Sequence, residues 1–454
     1  MKRRIYRAIV LAVVGSLAIA ACGGDDGGSS SDSSSEATSA PGDTSAPDDT
    51  DAAEGEAWTV NTDDCVDPAA ANAPIEGTIK IGSVMPLSGG AAAAAFAPVK
   101  GGFEAYIKYA NEKKLLGDIT LEVAIEDDQY NKDLTPGAVE KLLDAGTNVF
   151  AGIIGTANNL AVRDLLNEEC YPQLLNLTGS IGWGDAENYP WTTGVLVPYD
   201  IETKAYATAI KAEFPDGVDV GVFTVNNEFG QEYVTTIEEI AADFGLNIVD
   251  EQTIEATDSA PPTAQVNSIA TKQPPVILAV PLGAQCATFL AEIANAKAAN
   301  PGWEPRIYIT ATCASSLILA LAGPAADGIY TSNNLVDVLD PAIAAQPAVA
   351  EYLAFMEAQG LKDIIPTAGA GWHVAEMAVA IIKQALESGE LTRASIMNAA
   401  RNFDQVGTLT RPGIRMKLSG TADQYISESL QIVQYDADTK LFTDIGDVIT
   451  DYES

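Results

Sequence analysis

Histidine occurs once in the 454 residues, as His373. With Glu376 three positions later it pairs two metal-ligand types on a helical stretch, but no ordered cluster accompanies them, so the pattern reads as a packed histidine and no metal or cofactor is expected. Lysine is never followed by serine or threonine, which removes any phosphate loop despite the pairs Gly89-Gly90 and Gly101-Gly102. A Gly-x-Ser-x-Gly elbow is missing too. An exported hydrolase using Ser88 or Ser180 with His373 therefore has little support, and no enzyme is expected. Asp127 and Asp128 do not make a carboxylate pair, because adjacent strand residues point to opposite faces. Basic residues are scarce, 25 against 63 acids for a net charge of −38. Nucleic acid, whose phosphates need a basic footprint, is excluded as a partner.

The exception to the shortage of bases is the N-terminus. Lys2, Arg3, Arg4 and Arg7 precede an apolar run from Ala8 to Ala21, followed by Cys22. This is an export signal over residues 1–21, and it resembles a bacterial lipoprotein signal, which implies lipid on the Cys22 thiol and a place on the outer face of the cytoplasmic membrane. Residues 22–57 read as a lipidated, disordered acidic tether: up to Glu56 they hold ten acids and no Lys, Arg or aromatic. The 32 residues from Asp25 to Glu56 would span roughly 30 Å as a flexible coil. Without signal and tether, 21 bases and 53 acids remain, still near −32, as a solvated exterior. No later apolar run approaches membrane length.

The remaining residues, about 380, exceed what one core organises, so two lobes are expected. Cys65, Cys170, Cys286 and Cys313 are an even set in an oxidising compartment, with three possible pairings. Cys286 and Cys313 lie just beyond two consecutive predicted parallel strands, which pairs them and leaves Cys65 with Cys170.

From Gly77 onward β-rich runs alternate with amphipathic helical ones, the pattern of an α/β protein with parallel sheets. Strands are predicted at Thr78 to Val84, Ile119 to Glu126, Asn148 to Ile153 and Gln173 to Leu177. Helices fit Ala97 to Asn111, Pro136 to Ala145 and Asn159 to Glu169. A second series has strands at Val218 to Thr224, Asn247 to Ile254, Val276 to Val280 and Arg306 to Thr310, with helices at Phe229 to Phe244, Thr263 to Thr271 and Ala287 to Ala298. Three later helices, Ala348 to Gln359, Gly369 to Ser388 and Thr392 to Arg401, must cover sheets already formed.

The order of several segments is more telling than any one of them. Ile81-Gly82-Ser83-Val84-Met85-Pro86-Leu87-Ser88-Gly89, Tyr109-Ala110-Asn111-Glu112, Glu126-Asp127-Asp128-Gln129-Tyr130, Ile153-Ile154-Gly155-Thr156, Tyr171-Pro172-Gln173-Leu174, Asn227-Glu228-Phe229-Gly230-Gln231 and Asp327-Gly328-Ile329-Tyr330 resemble the type I periplasmic binding proteins, in their branched-chain amino acid branch. The resemblance covers nearly all of residues 77 to 430. It implies two Rossmann-like lobes joined by a three-crossing hinge, lobe one being 58–197 plus 331–402 and lobe two 198–330 plus 403–454. It also implies a monomer that traps a small molecule between the lobes and hands it to an ABC permease; a ligand-sensing receptor subunit would use the same cleft.

Ligands of parallel sheets sit beyond the strand carboxyl ends, against helix N-termini. Gly155 with Thr156, Ala157 and Asn158, and Thr178 with Gly179 and Ser180, supply hydroxyls and amides there, and the resemblance assigns both stretches to a ligand carboxylate. Leu87, Ser88 and Phe96 would wall one side, Trp183 would cap the site, and Phe229, Leu282 and Thr312 would come from lobe two. Phe229 stands where relatives often have tyrosine. The loop Thr310-Ala311-Thr312-Cys313-Ala314 lacks the acid that amino acid binders of this family often place there. An ammonium would then need Asp185, Asp200, Glu202 or Glu228, or the ligand is a carboxylate without an amine, such as an aromatic or short-chain acid.

Overall fold

The alternation predicted from Gly77 onward is present in the computed structural model, which describes residues 57–452. The signal, Cys22 and the tether up to Glu56 lie outside the described residues. After a short helix α1 (Pro68–Ala71), the chain runs β1 (Thr78–Met85), α2 (Ala92–Lys113), β2 (Thr120–Asp127), α3 (Thr135–Asp144), β3 (Val149–Ala151), α4 (Thr156–Glu168), β4 (Gln173–Asn176) and β5 (Thr192–Gly194). The second series is α5 (Tyr199–Glu213), β6 (Val218–Val225), α6 (Glu228–Phe244), β7 (Leu246–Ile254), α7 (Thr263–Lys272), β8 (Val276–Val280), α8 (Ala284–Ala299), β9 (Arg306–Ile309), α9 (Ser316–Ala322) and β10 (Tyr330–Asn333). It closes with α10 (Pro341–Ala344), α11 (Pro347–Ala358), α12 (Ile365–Glu387), α13 (Arg393–Arg401), β11 (Asn402–Gln405), β12 (Met416–Ser419), β13 (Gln431–Asp436) and β14 (Leu441–Asp444).

The first lobe is built on a parallel sheet ordered β2-β1-β3-β4-β5. The second is built on β14-β13-β10-β9-β8-β6-β7, parallel except that β13 runs antiparallel to β10 and β14 antiparallel to β13. Strand order reverses between β1 and β3 in one sheet and between β6 and β8 in the other. Such switch points open a crevice at the strand carboxyl ends.

α2 begins at Ala92, a turn and more before the expected Ala97, and carries Pro98 inside. The alanines from Ala92 to Ala95 are the strongest helix formers available and extend the helix past a proline that would otherwise mark its start. α12 is long and apolar enough to cross a bilayer by length and composition, yet it lies two-thirds buried along α2 in the first-lobe core.

The chain crosses between lobes at Leu196–Val197, at residues 334–338, and between Ile426, buried with the first-lobe core, and Leu430, buried with the second. The third passage thus comes later than the boundary at 402 expected from sequence. The β11–β12 hairpin buries Phe403, Met416 and Leu418 in the first core. Hairpin strands need no crossover helix, so an alternating βα pattern gave no sign of them.

Both disulfides are present, Cys65–Cys170 and Cys286–Cys313. At the N-terminal end, the Trp58 amide donates to Asn402 Oδ1 (3.0 Å), Asn402 Nδ2 donates back to the Trp58 carbonyl (2.8 Å), and the Val60 amide donates to Asn398 Oδ1 (2.7 Å). The Trp58 ring lies 5.8 Å from the buried Arg401 guanidinium, which donates to the Thr192 carbonyl.

Candidate functional site

Both switch points open onto one cavity of about 190 Å³ between the lobes. A single water requires roughly 10–15 Å³, so the space is sized for a ligand rather than a solvent molecule. From the first lobe it is walled by Phe96 and Val99 of α2, Tyr130 after β2, Ile154 and Gly155 after β3, and Leu177 after β4. From the second come Tyr199 and Glu202 of α5, Phe229 and Tyr233 of α6, Leu282 after β8 and Thr312 after β9. All three crossings contribute as well, through Leu196 and Val197, Asn334 to Val338, and Leu430.

The lobes touch around this space. The Ala284 amide at the start of α8 donates to the Ala91 carbonyl (3.0 Å), Ser315 Oγ lies 2.8 Å from Thr367 Oγ1, and Lys132 pairs with Glu228 at 2.6 Å. Ser180 Oγ donates to Glu232 Oε1 (2.5 Å) and the Ile181 amide to Glu232 Oε2 (3.2 Å).

Of the residues singled out from sequence, Phe96, Phe229, Leu282 and Thr312 line the cavity. Thr156 and Thr178 are fully buried just behind it and share a hydroxyl contact of 2.6 Å; Thr178 continues to the Tyr199 hydroxyl at 3.0 Å, so this chain links the lobes. Gly155 has no side chain to cap α4, which leaves the first-turn amides of Thr156 and Ala157 facing the switch point. Gly179 packs directly on the first crossing, where a Cβ would meet the Val197 carbonyl at 2.3 Å. Asn158 is turned elsewhere, donating to Asp128 Oδ2 and Thr135 Oγ1. Leu87 packs on the first core, and Ser88 caps its own loop through Asp127, which also accepts the Leu87 and Ser88 amides. Trp183 is buried near Arg163 and against Gly194, a packing position.

Three aromatic residues were not singled out. Tyr130 and its neighbour Gln129 both hold φ of 57°, a left-handed conformation that costs a non-glycine residue about 1–2 kcal/mol and concentrates at ligand clamps. It sets the Tyr130 ring parallel to Phe96, centroids 6.1 Å apart. Tyr199 lies 5.1 Å from Phe229 and 4.7 Å from Tyr233, a second aromatic group on the opposite wall. Burial pushes the Tyr199 hydroxyl up to about 12, so it stays protonated and can donate.

Among the four acids named for an ammonium, Asp200 pairs with Lys204, Glu228 with Lys132, and Asp185 holds Asn188. Glu202 alone reaches the cavity, nearly fully buried. Its Oε1 accepts from Tyr206 (2.7 Å), the Ala311 amide (2.8 Å) and Ser332 (2.5 Å); its Oε2 accepts from Tyr233 and, at 3.5 Å, Thr310. Among the described residues no lysine or arginine lines the cavity.

His373 is buried with neither ring nitrogen partnered, and burial pulls it down to about 4; Glu376 is committed to Thr408. Among the described residues no group of three or more His, Cys, Asp or Glu could hold a metal.

The Glu232 contact has a pH signature. Burial, with Asp200 nearby, raises its carboxyl to about 7 against the opposing bonds from Ser180 and Ile181. Glu228, four residues before it, is held by Lys132, and Tyr425, whose hydroxyl donates to the Ile181 carbonyl, faces the same loop. Because the raised value belongs to the arrangement in which Ser180 and Ile181 touch Glu232, that contact takes up a proton and is favoured below about pH 4.5 and progressively lost as pH rises through 7. Ligand affinity measured by calorimetry should weaken about tenfold from pH 5.5 to 7.5 for a ligand that does not titrate there. Glu232→Gln should flatten that dependence; an unchanged slope would show that the contact does not respond to closure.

Two α/β lobes, three crossings and a cavity walled by both define a cleft of the size of a small molecule. Residues 78–440 match the periplasmic binding protein family model, and the chain belongs to that family. Among solved structures it is similar to a branched-chain amino acid ABC transporter protein from Thermus thermophilus with bound valine (20% identity, 82% of this chain and 96% of that one, TM-score 0.71). It is also similar to a fatty acid ABC transporter substrate-binding protein from Thermomonospora curvata (18%, 83% and 93%, 0.69) and to a solute-binding protein of R. palustris in complex with 4-hydroxybenzoate (18%, 83% and 98%, 0.68). At these identities the likeness is one of fold. No curated protein sequence matches the chain.

Proposed function

We propose that the chain is the lipid-anchored, extracytoplasmic solute-binding component of an ABC importer, and that it traps a small carboxylate-bearing solute between its lobes. The observation that carries this reading is the cavity, whose wall is drawn from both lobes and from every crossing, so occupancy and closure are physically linked. Ligand contacts to both lobes would favour the closed state, which a membrane permease then recognises. The carboxylate is assigned to the uncapped N-terminus of α4 beside Thr156, Thr178 and Tyr199, where amides and hydroxyls can hold an anion without a basic residue. Similar folds hold valine in one case and 4-hydroxybenzoate in another, and a third belongs to a fatty acid ABC transporter, consistent with a carboxylate as the common element.

The moving bodies would be the two sheets with their helices, hinged at the crossings, in a monomer tethered through Cys22. A thermal-shift screen of amino acids, aromatic acids and aliphatic acids tests the binding: ligand at 100 times its Kd adds about 2.7 kcal/mol to the stability of the folded state. Small-angle scattering with a hit should show the molecule contract. Identical dimensions across the whole panel would count against a closing binder. Cys22→Ala should leave affinity in solution unchanged while the protein moves from the membrane fraction to the soluble one.

A further inference from the structure

Resting on that reading, we infer that the solute is a monocarboxylate with an extended apolar body and no ammonium group, the body lying along the hinge side of the cavity. The cavity is long. Its wall includes Phe229 beyond β6 and Phe442 on β14, and those strands are five steps apart in the second sheet. At about 4.8 Å per step they stand on the order of 20 Å apart. A volume of about 190 Å³ drawn out in that direction is a narrow channel, suited to a chain or a flat ring system rather than a compact amino acid.

The hinge side of this channel is mostly apolar, with Ser332, Asn333, Asn334 and Asp337 as its polar groups. Leu196, Val197, Val336, Val338, Leu409 and Leu430 face it, and α12 adds Pro366, Thr367, Gly369 and Ala370, four small residues that leave room beside the helix. Hydrocarbon placed there would leave water without displacing any hydrogen bond of the protein.

The two acids in the wall are both occupied. Glu202 already accepts from three partners on one oxygen and two on the other. Asp337 holds the Leu339 and Phe442 amides. An ammonium could reach Glu202 only by evicting a buried donor, which would then be left unpaired, and Asp337 sits beside β14, at the far end of the wall from the α4 N-terminus where the carboxylate is placed. The missing acid after β9 therefore has no replacement: Glu202 fixes α5 to the Ala311 amide and to Ser332 instead of reading the ligand.

The test is calorimetry on the mature chain with straight monocarboxylates from four to twelve carbons, and with 4-methylpentanoate set against leucine and 3-phenylpropanoate against phenylalanine. Kd should tighten about fourfold for each added methylene until the channel is full, and each deaminated acid should bind at least tenfold more tightly than its amino acid. Ala370→Phe should weaken the ten-carbon acid at least tenfold more than it weakens the four-carbon acid, with the melting temperature reporting that the variant folds. Leu409→Ala, which deletes bulk, should move the preferred length upward. Amino acids binding more tightly than their deaminated counterparts, or a Kd flat in chain length, would overturn the inference while leaving the importer reading intact. No binding by any member removes both.

Discussion

Gly102→Val should leave the protein unable to fold, and Gly102→Ala should cost about 3 kcal/mol or more. α2 and α12 cross with their backbones in contact: a Cβ on Gly102 would stand 1.8 Å from the Ala368 carbonyl oxygen, and one on Gly371 would stand 1.9 Å from that of Val99. Overpacking a core costs about 1–3 kcal/mol where side chains can shift, but here the obstacle is main chain in both helices. The helices would have to separate, and with them Phe103, Tyr106 and Trp372 of the first core. Denaturant titration of Gly371→Ala should show a loss of similar size. Gly137→Ala on α3, where nothing lies within 4 Å of a new Cβ, should be neutral or stabilising by up to about 1 kcal/mol through helix propensity. Equal effects at all three positions would show that the close approach of α2 and α12 is not what Gly102 and Gly371 serve.

Those glycines also mark where sequence reasoning stops. Gly101-Gly102 could be weighed as a phosphate cradle and dismissed, yet its service to a helix crossing depends on α12, which lies some 270 residues downstream. Eight of the ten parallel strands were legible because apolar β-branched runs such as Val218–Val225 and Val276–Val280 alternate with helical periodicity, whereas β5 and β10, at three and four mostly polar residues, were too short to stand out. β13 and β14 were not, because a hairpin at a sheet edge breaks the rhythm. In the cavity, Phe96, Phe229, Leu282 and Thr312 follow strand ends and could be placed by topology alone. Tyr130 could not, since nothing in Asp127-Asp128-Gln129-Tyr130 announces two consecutive left-handed residues. Glu202 was one of four equivalent acids until the fold gave lysine partners to Asp200 and Glu228 and turned Asp185 onto Asn188.

Replacing Cys65 and Cys170 together by serine should be the next largest loss. The bond closes a loop of 105 residues, and in the chain-entropy account a loop of that length contributes about 4.7 kcal/mol by restricting the unfolded state. Cys286 and Cys313 close only 27 residues, worth about 3.5 kcal/mol on the same account. The two should also differ in kind. Cys286 and Cys313 tie the loops after β8 and β9, which carry Leu282 and Thr312 into the cavity, so their loss should weaken ligand binding as well as stability. Loss of Cys65–Cys170 should lower the denaturation midpoint and leave affinity untouched. If binding fell equally in both variants, the second bond would not be holding the cavity loops.

The docking of Trp58 and Val60 onto Asn402 and Asn398 makes the first lobe a mechanical mooring point. A pull on the chain ahead of Trp58 is met by three hydrogen bonds, then by the covalent stop at Cys65–Cys170, all within the first core. The load never passes through Leu196–Val197, residues 334–338 or Leu430. A drag on the N-terminal chain is therefore borne by the first lobe alone and leaves the three crossings between the lobes unloaded.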